Sequence, residues 1–151
     1  MITSASRAPD RVHKSRASNS RGYIGLKYER SVVRELARVL PRSMKIEHNP
    51  WFFYTDDGTN GACSPDVLIH DNEFGYVIVA EVKNTWVSVA LPKLNQLYCP
   101  VVAKALNRPT KPIVIVKNLI PGAPRPQASL SFALVSEEPL LQWIGTGPIA
   151  I

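Results

Sequence analysis

The stretch VIVAEVKNTW, Val77–Trp86, decides how this chain is read. Four apolar residues, Val77 to Ala80, describe a strand covered on both sides, yet Glu81 follows directly and Lys83 comes two positions later. Side chains alternate along a strand, so Glu81 and Lys83 share a face with Val77 and Val79, while Ile78, Ala80 and Val82 line the other. An acid and a base on the tip of a buried strand are either a salt bridge on the strand face or part of a reactive site. The motif alone is weak, because E-x-K arises in roughly half of chains this long from average residue usage.

Working outward, HDNEFG is a turn joining the strand SPDVLI to YVIVAEVK, which predicts an antiparallel hairpin. Such a hairpin brings Asp66 beside Glu81 at one end of the sheet. Upstream, MKIEHNPWFFYT is strand-like and DDGTNGAC reads as a flexible loop. From Gly22 to Leu40 the pattern turns helical, with Val32, Val33, Leu36 and Leu40 at spacings of three and four, closed by Pro41. Arg30, Arg34 and Arg38 form a separate stripe on this helix. Glu29, four before Val33 and seven before Leu36, projects on the apolar side, where a carboxylate is costly unless paired, solvated or bound to metal.

Downstream, LPKLNQLYCPVVAKALN is a second helical stretch, with Pro92 in its first turn and Pro100 expected to kink or shorten it. KPIVIVKN is apolar on both faces, as in a central strand. ASLSFALVS reads as a further strand and EEPLLQWIG as a short closing helix. The expected fold is therefore α/β, a mixed β-sheet flanked by helices, in a single domain over residues 22–151.

Composition limits the function classes. No apolar run approaches the ~18–20 residues of a membrane span. The basic N-terminus is not followed by an apolar segment, which argues against a secretory signal. Cys63 and Cys99 have no CxxC partner, which argues against a zinc site or disulfide framework and points to a reducing cytoplasm. The formal net charge is +6. Residues 1–21 hold Arg7, Arg11, Lys14, Arg16 and Arg21 against Asp10 alone. This segment reads as a disordered basic arm, serving either as a solubilising tail or as contacts to nucleic-acid phosphates. No phosphate-binding P-loop or dinucleotide-binding glycine pattern is present.

Two carboxylates, Asp66 and Glu81, converging with Lys83 make a hard-oxygen site suited to Mg²⁺, to which the Val82 carbonyl can add a ligand. Phosphodiester hydrolysis needs a water activated, charge on the phosphoryl group neutralised and the leaving oxygen stabilised, and such a site can do all three. Pro65-Asp66 followed by Glu81-Val82-Lys83 resembles the PD-(D/E)XK nuclease superfamily, and KYERSVVRELARVL resembles that family's first core helix. The resemblance covers about Gly22 to Lys117 and is greatest to small phage endonucleases and archaeal-type Holliday-junction resolvases.

That resemblance implies a restriction-endonuclease-like core and a Mg²⁺-dependent DNA endonuclease, with Mn²⁺ as a substitute and branched DNA as one substrate class. It implies Asp66, Glu81 and the Val82 carbonyl as metal ligands, Glu29 assisting, and Lys83 beside the attacking water. Gln96 matches a position that contacts the site or DNA, although the Q-x-x-x-Y spacing of some relatives is absent because Tyr98 follows Gln96 by two. A two-fold dimer follows only by analogy. The rival reading is a DNA-binding or structural protein that keeps the fold without cutting. His13, His48 and His70 show no metal-ligand spacing, and an ordinary strand residue explains His48 as well as a site residue does. Asp56 and Asp57 read as turn formers. Asn60 and Ser64 either make the turn or reach a phosphate, and Trp51 and Trp86 either fill the core or stack on a base.

Overall fold

The computed structural model describes residues 1–9, 20–118, 120–122, 128–131 and 140–145, with side chains for 1–9, 25–118 and 120–122. Its centre is the stretch on which the sequence turned. Strand β6 (Val77–Thr85) is buried continuously from Val77 to Val82. It pairs antiparallel with β5 (Val67–Asp71) and parallel with β7 (Thr110–Asn118), so every ladder group of its apolar half has a partner. These strands are the middle of a six-stranded mixed sheet ordered β2-β5-β6-β7-β9-β8, whose remaining members are β2 (Met44–His48), β8 (Ala128–Ser131) and β9 (Leu140–Gly145). The expected mixed sheet flanked by helices is present.

Helix α1 (Ser20–Val39) covers one face. Val32 and Leu36, at 1% and 0% exposure, press with Tyr28 onto Val67, Ile69, Ile78, Ala80, Val82, Ile113 and Ile115. Arg38 in its last turn suits the negative end of the helix dipole, and Pro41 forbids continuation. The opposite face carries Val77, Val79, Val114 and Val116, packed on the helical crossover between β6 and β7. Burying each of these side chains contributes on the order of 1.5–3 kcal/mol.

The crossover runs as α2 (Ala90–Lys93), a π-helical turn (Leu94–Tyr98) and α3 (Cys99–Leu106). Pro100 lacks the N–H that an α-helix would direct at the Gln96 carbonyl, and its ring would crowd that carbonyl. The helix widens one turn earlier, with the Cys99 N–H bonded to the Leu94 carbonyl, so the expected kink takes the form of a π-turn. Asn107, at φ 51°, ends α3 in the left-handed conformation.

Four expectations are corrected. MKIEHNPWFFYT is not one strand: Asn49 takes φ 51° and Pro50 offers no N–H, so the chain leaves the main sheet after β2 and re-forms as β3 (Phe52–Asp56) in another sheet. DDGTNGAC is not a loop. Asp57 and Gly58 adopt φ 45° and 85°, the two positive values of a tight hairpin turn, and Thr59–Cys63 returns as β4. The basic arm is not unstructured at its start, because Ile2–Arg7 is β1 and pairs with β3 in the small sheet β1-β3-β4. The stretch expected as a closing helix is the strand β9, antiparallel to β7. Ile2, Phe52 and Cys63 tie the small sheet into the core beneath α3.

Among the described residues no helix is long and apolar enough to cross a membrane. Both cysteines are free and buried, and burial pushes their thiols up, to about 12 for Cys63 and about 11 for Cys99, which leaves them poor nucleophiles.

Candidate active site

The β5–β6 hairpin delivers what its sequence expected. Val67 stands opposite Ala80, so Asp66, the residue before β5, and Glu81 come to the same end of the sheet. Asp66 Oδ2 accepts the Val82 N–H at 2.7 Å, so its carboxylate is fixed against the backbone of the strand that carries Glu81. Asp66 is 9% exposed and Glu81 2%. Burial raises the Asp66 pKa well above the usual carboxylate range, and the charges of Glu81 and Glu29 raise it further, while the Val82 N–H and Lys83 oppose them.

Glu81 divides its two oxygens. Oε1 takes Lys83 Nζ at 2.9 Å and Lys93 Nζ at 3.5 Å, whereas Oε2 is buried with no hydrogen-bond partner. A buried carboxylate oxygen without a donor is expensive, by about 1–3 kcal/mol or more, so it marks a place where a ligand would be gained. Lys93 was not singled out in the sequence. It lies in α2, its ammonium sits 4.6 Å over the Tyr98 ring, and the π-turn between them sets that approach. Gln96, the residue expected to contact the site, is exposed on the π-turn.

Glu29 is 4% exposed on the inner face of α1, as its position among apolar residues required. Its Oε1 lies 2.8 Å from His48 Nε2, and the Asn49 side-chain nitrogen lies 3.1 Å from the same ring atom. His48 is therefore no ordinary strand residue. It ends β2, where its side chain meets Glu29 across the α1–sheet gap. No spacing rule could have found this pair, because it joins residues 19 apart on different elements.

The other candidates divide. Arg7 pairs with Glu47, one contact being Nη2 to Oε1 at 2.9 Å, and its guanidinium lies 5.5 Å from the Phe52 ring centre, so it braces β1 instead of serving a free arm. Arg11, Lys14 and Arg16 lie outside the described residues, and Arg21 falls in α1 with its side chain outside them. Asn60 bonds Thr55 within the small sheet, and Trp86 belongs to the core. Ser64 Oγ is buried without a partner, two residues before Asp66. Asp56 ends β3 and Asp57 begins the hairpin turn, and both bind the terminal ammonium of Met1, at 2.7 and 2.6 Å.

Among the described residues no three His, Cys, Asp or Glu side chains come together closely enough to hold a metal ion. Two carboxylates do converge, one with an orphaned oxygen and one carrying the cost of like charge nearby. Their hard-oxygen chemistry fits Mg²⁺ better than a softer ion. Compared with protein-family models, curated proteins and solved structures, the chain matches none of them.

Proposed function

We propose that the chain is a divalent-metal-dependent DNA endonuclease with a PD-(D/E)XK-type site. The observation that carries this reading is the placement of Asp66, just before β5, against the backbone of the strand that bears Glu81, with the buried Glu81 Oε2 unpartnered and two lysines on Oε1. Asp66, Glu81 and the Val82 carbonyl would hold Mg²⁺, with Mn²⁺ as a substitute, and Glu29 would assist. The bound ion would supply charge neutralisation at the phosphoryl group and a lowered pKa for a coordinated water.

The chain's own groups do the remainder. Lys83 stands at the rim, half-buried, where it orients an incoming water and offsets charge on the phosphoryl oxygens. The water oxygen forms the new P–O bond, the ester P–O bond breaks, the water's proton goes to solvent and the leaving oxygen takes one from solvent. The apolar sheet beneath keeps both strands rigid, so Glu81 and Lys83 hold their positions. The basic charge of the chain suits DNA as partner, with branched junctions among the substrates.

The test is nicking of supercoiled, linear, single-stranded and four-way-junction DNA with Mg²⁺ or Mn²⁺, beside Lys83→Ala. Metal-dependent cleavage lost in the variant supports the reading, and intact DNA under every condition sinks it.

A second reading has its own support. Glu81 is already engaged by two lysines and Glu29 by His48, so both carboxylates have protein partners without an ion. On that reading the protein binds DNA and does not cut. It predicts no Mg²⁺ or Mn²⁺ binding that depends on Asp66 and Glu81, with DNA affinity surviving Asp66→Asn.

A further inference from the structure

A cavity of about 480 Å³ opens beside α1, lined by Leu26, Lys27, Arg30, Val33, Arg34 and His48. Its size lies within the range of sites that hold one small molecule or one residue of a chain. Leu26 and Val33 are half-buried and give it an apolar floor, while Lys27, Arg30 and Arg34 are exposed. None of these three cations has an ion-pair partner among the described residues. Arg38, the next arginine along the helix, is by contrast neutralised by Glu35 at 2.9 Å. The helix thus keeps its free positive charge on the stretch that lines the cavity.

The cavity is also joined to the candidate site. His48 lines it and at the same time meets Glu29 at 2.8 Å. A ligand in the cavity therefore lies beside His48 on the α1 side of the sheet, the side on which Glu29 is held.

We propose that this cavity takes one unpaired nucleotide of a DNA strand, its base or sugar on Leu26 and Val33 and its phosphates on Lys27, Arg30 and Arg34. The inference rests on the endonuclease reading for the identity of the strand, and it narrows the substrate to DNA with a single-stranded stretch beside a duplex, such as a flap, tail or open junction. The apolar floor is the discriminating feature. A duplex presents its phosphates and shields its base faces, so the three cations would serve it but the floor would not. An unpaired nucleotide uses both. Inorganic phosphate would use the cations alone.

The experiment measures binding by fluorescence anisotropy in EDTA, so that no cleavage is required. Probes are a blunt duplex, the same duplex with a short single-stranded tail, and the tailed duplex with abasic sites in the tail. The tailed probe is expected to bind at least tenfold tighter than the blunt one and to lose most of that advantage when abasic. In R30A/R34A, changed at exposed positions only, the salt dependence of tailed-probe affinity should fall by about 1.4 in log–log slope, the loss of two single-strand phosphate contacts. Blunt-duplex binding should weaken less than tailed-probe binding.

Equal affinity for blunt and tailed probes overturns the proposal, as does an equal loss on both in the variant. Displacement of the tailed probe by inorganic phosphate as effective as that by a deoxynucleoside monophosphate also overturns it. Failure of the endonuclease reading appears separately, as absence of cleavage with metal while tailed binding persists.

Discussion

Lys83 and Lys93 reach one and the same oxygen, Glu81 Oε1, at 2.9 and 3.5 Å, from a strand and from the helix that follows it. Each can cover for the other electrostatically, but only Lys83 shares a strand with the carboxylate. Lys83→Ala and Lys93→Ala should therefore each be mild for stability, because one ammonium remains on Oε1. The double variant leaves a buried carboxylate with no cation, and its loss should exceed the sum of the singles by about 0.5–3 kcal/mol. Urea unfolding of the four proteins measures this coupling, and additive losses would show that the lysines do not share Glu81.

Asp66 is held in the folded state where its charged form is disfavoured by burial and by Glu81 and Glu29. Its folded pKa is raised, so its protonated form adds stability at low pH, and that stability is lost as pH climbs from the ordinary value of 3.8 through the raised one. Asp66→Asn keeps an oxygen for the Val82 N–H and removes the charge. In metal-free buffer at pH 8 the variant should melt about 2–4 °C higher for each 1 kcal/mol gained, while any metal-dependent cleavage disappears. A lower melting temperature would mean that the carboxylate is not under charge stress.

Glu47 shows the opposite sign. Its hydrogen bond from His70 and its contact with Arg7 lower its pKa from 4.5 to about 2, against the opposing effect of burial. The stability it adds is present above about pH 4.5 and drains away as pH falls towards 2. Its side chain is 33% exposed, so solvent screening reduces the effect to roughly 1 kcal/mol. Glu47→Gln should flatten the fall in melting temperature between pH 5 and pH 2.5, with the variant and native curves converging at the acid end. Parallel curves would remove Glu47 as a source of acid sensitivity.

Gly61 sits under the Tyr54 ring, and a Cβ built there would lie 2.5 Å from Tyr54 Cζ. The ring is half-buried and packs against the core, so relieving the clash means moving it out of that contact. Gly61→Ala should cost about 1–3 kcal/mol through displacement of that ring. The paired change with Tyr54→Ala should recover part of the loss relative to additivity. Chemical denaturation of the single and double variants decides it.

The hairpin, the first helix and the central strand β7 were legible because each carries a strong period: alternation or a continuous apolar run in strands, and spacings of three and four in α1. Strand β1 was not, since Ile2 and Ala5 are its only inward apolar residues, too few to set a period among serines and threonine. Strand β9 was not, because EEPLL resembles a helix start and a six-residue segment as short and mostly apolar as LLQWIG does not distinguish helix from strand. The β3–β4 hairpin did have a signal, the Asp57-Gly58 pair, which weighs more than the low hydrophobicity around it. In the site, Asp66, Glu81 and Lys83 could be placed from strand alternation. Lys93 and His48 could not, because their partners are fixed by packing between elements and not by spacing within one.

The Asp66–Glu81 pair belongs to a single short hairpin, and that has a kinetic side. Only the turn between β5 and β6 must close to bring the two carboxylates together, so the entropic barrier to meeting is small. The β1–β3 pairing spans about fifty residues and the β6–β7 pairing waits for the whole crossover, so both are slower steps. The repelling carboxylates thus meet early in folding, before α1 has brought Glu29 or α2 has brought Lys93. Acidic conditions, or a cation in the refolding buffer, should quicken that step, which a stopped-flow comparison with Asp66→Asn would resolve.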